Sequence, residues 1–254
     1  MTKKTSDLAQ IDRLCGDYII YQPQEGQRYT TDDILVGWLA VRELKERGIQ
    51  PTSFLDLGSG LCSVPMIVLW AFPAIRGVGV EISQRRCGLG NTSLAKNGLA
   101  GRFNLVAGDL RDVRFPERFG LVTSSPPYYE KREGPISPNA DKAGVRFELH
   151  GNINDYCRAA ADHLQPGGIF TAVYPFQYRQ RLRIAAQASS LAPEREVRVI
   201  TRKGKPPLLS LFVLSLQGPG ADTQDELVIR SADHLFTQAF RRIRQEVGFP
   251  DKLK

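Results

Sequence analysis

Three carboxylates follow one another at the ends of short apolar runs: Asp56 in Phe54-Leu55-Asp56-Leu57-Gly58-Ser59-Gly60, Glu81 in Gly79-Val80-Glu81-Ile82, and Asp109 in Gly108-Asp109-Leu110. The Gly-x-Gly turn lets backbone come close to a ligand, and the helix it opens offers N–H groups at its start. A carboxylate at a strand end, in the position of Glu81, accepts two hydrogen bonds from the hydroxyls of a ribose. Asp109, at the same edge, would accept from the amino group of an adenine. A second constellation follows the fourth run, Ser124-Ser125-Pro126-Pro127-Tyr128-Tyr129. Two prolines stiffen this loop and donate no N–H, so it presents carbonyl acceptors, and the tyrosine face beside them can stack on a planar base. The plain alternatives are a tight strand-to-helix turn and a proline turn with a core tyrosine.

A nicotinamide-dependent dehydrogenase also uses a glycine turn and a ribose-binding acid. Its fingerprint Gly-x-Gly-x-x-Gly here reads Gly58-Ser59-Gly60-Leu61-Cys62-Ser63 and lacks the last glycine. Asp56 would repel a pyrophosphate and suits a cationic ligand such as S-adenosylmethionine.

The elements that must position these residues alternate. Strands are predicted at Ser53 to Leu57, Gly77 to Glu81, Asn104 to Ala107, Gly120 to Ser124 and Ile169 to Val173. Helices are predicted at Val64 to Phe72, Ser83 to Asn97, Asn154 to Leu164 and Gln177 to Leu191. This is the pattern of an α/β, doubly wound, mostly parallel sheet. Gln165-Pro166-Gly167-Gly168 is expected to stop a helix and turn the chain into the next strand. Glu196 to Arg202 and Leu208 to Leu216 are joined only by Lys203-Gly204-Lys205-Pro206-Pro207, too short for a crossover helix, so an antiparallel hairpin is expected there. The expected division is an N-terminal helical or cap segment over 1–50, a catalytic domain over 51–217, and an extension over 218–254 packing on the same domain. The irregular stretch from Tyr129 to Gly151 reads as a functional lid or a disordered segment.

These residues resemble class I methyltransferases that act on exocyclic or amide nitrogens, whose Asn-Pro-Pro-Tyr motif is matched by Ser125-Pro126-Pro127-Tyr128. More closely, the chain is similar to bacterial tRNA adenine-N6 methyltransferases of the type that modifies the anticodon loop of a valine tRNA. The similarity runs from Tyr21 to about Arg244 and includes Gln27-Arg28-Tyr29-Thr30-Thr31-Asp32, the glycine loop, Gly79-Val80-Glu81 and Glu226-Leu227-Val228-Ile229-Arg230. The resemblance implies a seven-stranded Rossmann-like sheet closed by the antiparallel hairpin. It also implies that Thr31, Asp56, Gly58, Gly60, Glu81 and Asp109 hold S-adenosylmethionine, while Ser125, Pro126, Pro127 and Tyr128 hold the target nitrogen. Cys62 replaces a family glycine, and Ser125 replaces the asparagine that would accept an amino hydrogen. A small metabolite or a protein glutamine therefore stands as an alternative substrate, and a non-catalytic RNA-binding module as an alternative function. Asp32 and Asp33 read as helix-start residues, since Thr30-Thr31 precede them, and no dedicated base is evident.

The 254 residues carry 34 Lys and Arg against 27 Asp and Glu, a net charge of +7, with 42% hydrophobic residues. That is the composition of a globular protein with a mild preference for polyanions. Between Phe176 and Lys205 there are eight basic residues against Glu194 and Glu196. Arg241, Arg242 and Arg244 form a second cluster, and Lys131-Arg132 flank the proline-tyrosine loop. Structured RNA, tRNA above all, is the expected partner, with no DNA. Cys15, Cys62, Cys87 and Cys157 are scattered and only three histidines accompany them, so no zinc cluster or disulfide framework is expected. No secretory signal is read at Met1 to Gln10, and Val64 to Phe72 is far short of the ~18 residues of a membrane span. A cytoplasmic monomer without metal or membrane attachment is the expectation.

Overall fold

The computed structural model describes residues 9–129, 147–216 and 222–249; Lys131, Arg132 and most of the loop after Tyr129 lie outside them. A hairpin of β1 (Ala9–Arg13) and β2 (Ile19–Pro23) leads into α1 (Thr31–Glu46). Then come β3 (Ser53–Leu57), α2 (Ser63–Ala71), β4 (Arg76–Glu81), α3 (Gln84–Lys96), β5 (Phe103–Ala107) and β6 (Phe119–Ser124). The second half holds α4 (Ile153–His163), β7 (Leu164–Pro175), α5 (Arg179–Ala188), β8 (Leu191–Arg202), β9 (Leu209–Leu216), β10 (Thr223–Arg230) and α6 (Gln238–Glu246).

The sheet order is β10-β8-β9-β7-β6-β3-β4-β5. All neighbours are parallel except β9, which is antiparallel to both β7 and β8. The expected hairpin is therefore present, but the main sheet has eight strands, not seven, because β10 adds itself parallel to β8. Gln165 to Gly168 do not form a separate turn. They belong to β7, where the register with β6 shifts between Phe119 and Leu121, and Gly167 takes up a φ of 77°.

Alternate residues of each strand feed two cores, as a period of two requires. Phe54, Leu121, Ile169, Leu211 and Val213 pack with α1, α2, α3 and α6. Leu55, Val122, Phe170, Phe212 and Leu214 pack with α4 and α5. The sequence showed no strand signal in the first hairpin, whose β1 reads Ala-Gln-Ile-Asp-Arg. It is tied down by side chains far along the chain: Asn97, which caps the end of α3, brackets Ile19 at 2.9 and 2.7 Å, and Ser93 Oγ accepts from Tyr21 N–H at 2.9 Å. Among the described residues no helix is long and apolar enough to cross a membrane. The four cysteines are buried and unpaired.

Candidate active site

The strand order reverses at β3 and β6: β4 and β5 lie to one side, β7 and β9 to the other. The chain leaving β3 and the chain leaving β6 part company there, which opens a crevice at the carboxyl ends of the strands. Leu57 and Ser124 are register partners at that edge. The glycine turn and the proline-tyrosine loop thus emerge side by side.

Gly58 (φ 72°) and Gly60 (φ 54°) make the turn in left-handed backbone, and Cys62 (φ 65°) joins them as the cap of α2. A Cβ on Gly58 would sit 2.8 Å from the Tyr156 hydroxyl, and one on Gly60 would sit 2.8 Å from Arg86 Nη2. Cys62 is accommodated because Gly90 of α3 faces its sulfur. The turn offers shape more than donors. Gly58 and Ser59 N–H both donate to the Val80 carbonyl, and Gly60 N–H donates to Glu81 Oε2 at 2.8 Å. Glu81 Oε1 accepts from Ser83 N–H at 2.8 Å, so the buried carboxylate is braced on both oxygens by backbone.

Two cavities flank this turn. The larger, about 340 Å³, is lined by Gln27, Asp32, Asp56, Gly58, Tyr128 and others; the smaller, about 70 Å³, by Glu81, Ile82, Leu110, Pro127 and Tyr156. Gly58, Gly60, Arg86 and Ser125 line both. An elongated ligand with a ribose and a cationic end fits this pair, Glu81 and Ile82 at one end and Asp56 at the other. Asp56 accepts from Thr123 Oγ1 at 2.5 Å, across register partners of β3 and β6. Burial pushes its carboxyl up to about 7.

The residues expected to hold the donor do not all meet. Asp56, Gly58, Gly60 and Glu81 line the two cavities. Asp109 lies beside the smaller one, where Gly108 and Leu110 are in its lining, and both its oxygens are held by Arg111, at 2.9 and 2.5 Å. That guanidinium holds the carboxyl below the usual range. Thr31 opens α1 and faces a third cavity, while its neighbour Thr30 reaches the larger one. Ser125, Pro126 and Tyr128 line the larger cavity, and Ser125 and Pro127 the smaller.

Asp32 has more than the role of a helix-start residue. Asp33 supplies the cap, accepting from Thr30 N–H at 3.1 Å, and burial pushes it up to about 6. Both acids line the larger cavity, and there Asp32 accepts the Tyr128 hydroxyl at 2.6 Å. Burial raises its carboxyl, and burial with the Asp32 charge raises the Tyr128 phenol. The sequence signal was two adjacent acids, one more than a cap needs. Arg86, buried where the cavities join and donating to the Gln27 carbonyl at 3.1 Å, had no such signal.

No family model matches the sequence. A curated relative, the tRNA1(Val) (adenine(37)-N6)-methyltransferase of Bacteroides thetaiotaomicron, is 23% identical over 231 residues, covering 90% of this chain and 93% of that protein. A solved structure described as a predicted O-methyltransferase from Agrobacterium tumefaciens superposes with a TM-score of 0.61 at 16% identity, over 86% of this chain and 98% of that one. A S-adenosylmethionine-dependent methyltransferase from Clostridium acetobutylicum superposes with a TM-score of 0.52 at 12% identity, over 74% of this chain and 92% of that one. The fold is that of the methyltransferases.

Proposed function

We propose that this chain is a methyltransferase that moves a methyl group from S-adenosylmethionine to N6 of an adenine in tRNA. The observation that carries this reading is the position of Ser125. It lines both cavities, so the loop after β6 borders the donor site along its length and places Tyr128 at the Asp56 end of it. Over nine-tenths of its length the chain is similar to a relative whose name states that reaction.

The donor, when bound, supplies a methyl group already activated by a sulfonium. What remains for the protein is orientation, exclusion of water and removal of one proton. Glu81 takes the ribose hydroxyls and Ile82 one face of the adenine. Ionised Asp56 faces the cationic end. On the other side, the Ser125 hydroxyl oxygen and the Pro126 carbonyl accept the two amino hydrogens of the target, which aims the nitrogen lone pair at the donor. The Tyr128 ring holds the base by stacking. Methyl transfer from the bound donor would leave the target nitrogen positively charged. One of its two hydrogens, the one held by Ser125, is then given up as a proton to the Asp32 carboxylate, which the Tyr128 hydroxyl holds in place.

Incubation with methyl-labelled S-adenosylmethionine and unfractionated tRNA, followed by digestion to nucleosides, should give labelled N6-methyladenosine. Label absent from RNA overturns the reading. Label on protein or on small molecules instead selects the alternative that Ser125 keeps open, because a hydroxyl reaches less far than an amide.

A further inference from the structure

The arginines of the second half of the chain fall into two groups. Arg183 is paired with Glu196 at 2.6 Å and Asp222 at 2.9 Å. Arg195 is paired with buried Glu43 at 2.6 Å, and Arg179 approaches Glu196 at 4.0 Å. These cations are neutralised inside the fold. Arg202 and Arg230 are different. They are register partners on β8 and β10, two like charges side by side, and among the described residues neither forms an ion pair. Both are braced by one residue: Arg202 Nη1 lies 2.6 Å from His234 Nε2, and Arg230 Nη1 donates to the His234 carbonyl at 2.6 Å. Like charges placed directly opposite destabilise a sheet unless something of opposite sign lies over them.

Both arginines line the third cavity, about 690 Å³, together with Lys205 at the tip of the β8–β9 hairpin. Its floor is apolar, with Val199, Ile229 and the half-exposed Leu208. It is continuous with the larger cavity of the active site: Thr30, Asp32, Pro207, Leu208 and Leu209 line both. Asp32, at the shared end, is the one acid in its lining.

Resting on the RNA reading above, we propose that this groove seats the nucleotide next to the target adenosine. Its phosphate lies between Arg202 and Arg230, and its sugar and base lie on Leu208 and Pro207. A phosphodiester supplies the negative charge that the arginine pair lacks, and the apolar floor suits an unstacked base of a single-stranded loop. The continuity of the two cavities leads the strand from the groove directly to Tyr128.

The test is R202A/R230A and, because Arg230 also covers the Phe236 ring, the exposed hairpin-tip variant Lys205→Glu, with Arg158→Ala on the exposed side of α4 as control. Filter binding of unfractionated tRNA across a salt series and the KM for tRNA are read, with S-adenosylmethionine affinity by calorimetry as the check of folding. The groove variants should raise KM at least about tenfold and flatten the log–log salt slope by about one, while Arg158→Ala changes neither. Unchanged KM and slope in Lys205→Glu and R202A/R230A, in a wild type that methylates tRNA, overturn the groove and leave the function standing. A wild type that methylates no RNA, with binding still lost in the groove variants, overturns the function and leaves the groove. Loss of binding to an acidic peptide but not to RNA would make the groove a protein-docking site and overturn the proposal.

Discussion

Asp56 and Asp32 face the same cavity, yet they answer to different measurements. Asp56 is held up at about 7 by burial, so below that pH it keeps its proton and attracts a cation poorly. Donor affinity should therefore rise as pH increases from 6 to 8. In Asp56→Asn it should be weaker by about tenfold or more and nearly flat with pH, measured by calorimetry. The same shift acts on stability in the opposite direction. The unfolded chain loses this proton near 3.8 and the folded chain near 7, so the ligand-free protein is favoured by this group at low pH and loses that contribution as pH rises through 7. The fall in melting temperature between pH 4 and 7 should be smaller in Asp56→Asn. Asp32 should show itself in chemistry. Asp32→Asn is expected to slow single-turnover methyl transfer about a hundredfold, with Tyr128→Phe losing about tenfold because its ring still stacks, and both keeping donor affinity. Equal rates in wild type and Asp32→Asn would remove it from the mechanism.

At the scale of the element, the glycine turn is a matter of backbone handedness and free space together. Gly58, Gly60 and Gly98 all have positive φ, but a Cβ on Gly98 meets nothing, whereas at Gly60 it meets Arg86. Gly98→Ala should cost only the backbone penalty, about 1 kcal/mol of stability by denaturant titration, and leave donor binding alone. Gly60→Ala should cost more and weaken donor binding at least about tenfold, since its Cβ must displace a guanidinium that lines both cavities. The strands around this turn were legible because short apolar runs of five or six residues, bounded by turn residues, have few other uses. The edge was less so. Glu226 to Arg230 was visible as a motif but not as a strand, because an edge strand buried on one face carries a weak hydrophobic signal: only Leu227 and Ile229 of β10 are buried.

Across the whole molecule, the positive charge is divided between holding the fold and facing outward. Glu43 is buried and accepts from both Arg47 and Arg195, at 3.0 and 2.6 Å, so Glu43→Gln removes the acid they share while Arg47 keeps Glu194 and Arg195 keeps Glu46. A loss of about 1 kcal/mol in unfolding free energy is expected, because each arginine is partly exposed and keeps a second acid, with no change in the salt dependence of tRNA binding. A changed salt slope in Glu43→Gln would mean that its arginine partners also reach RNA. The eight basic residues between Phe176 and Lys205 looked like a single basic rim in the sequence. Only its C-terminal end, Arg202 and Lys205, carries charge to the groove, since Arg179 and Arg183 face Glu196 and Arg195 is occupied by Glu43.

The sequence by itself determined the doubly wound sheet, the antiparallel hairpin and the order of the glycine turn, the strand-end acids and the proline-tyrosine loop. Hydrophobic period, glycine backbone freedom and link length are local properties that a linear chain already expresses. Tertiary structure alone decided that Asp32 meets Tyr128 across 96 positions and that Arg195 is neutralised by Glu43 across 152. It also decided that Arg202 and Arg230 stand side by side above an apolar groove. Which charge finds a partner depends on distances between side chains remote in sequence, and those exist only once β8, β9 and β10 have packed beside α1.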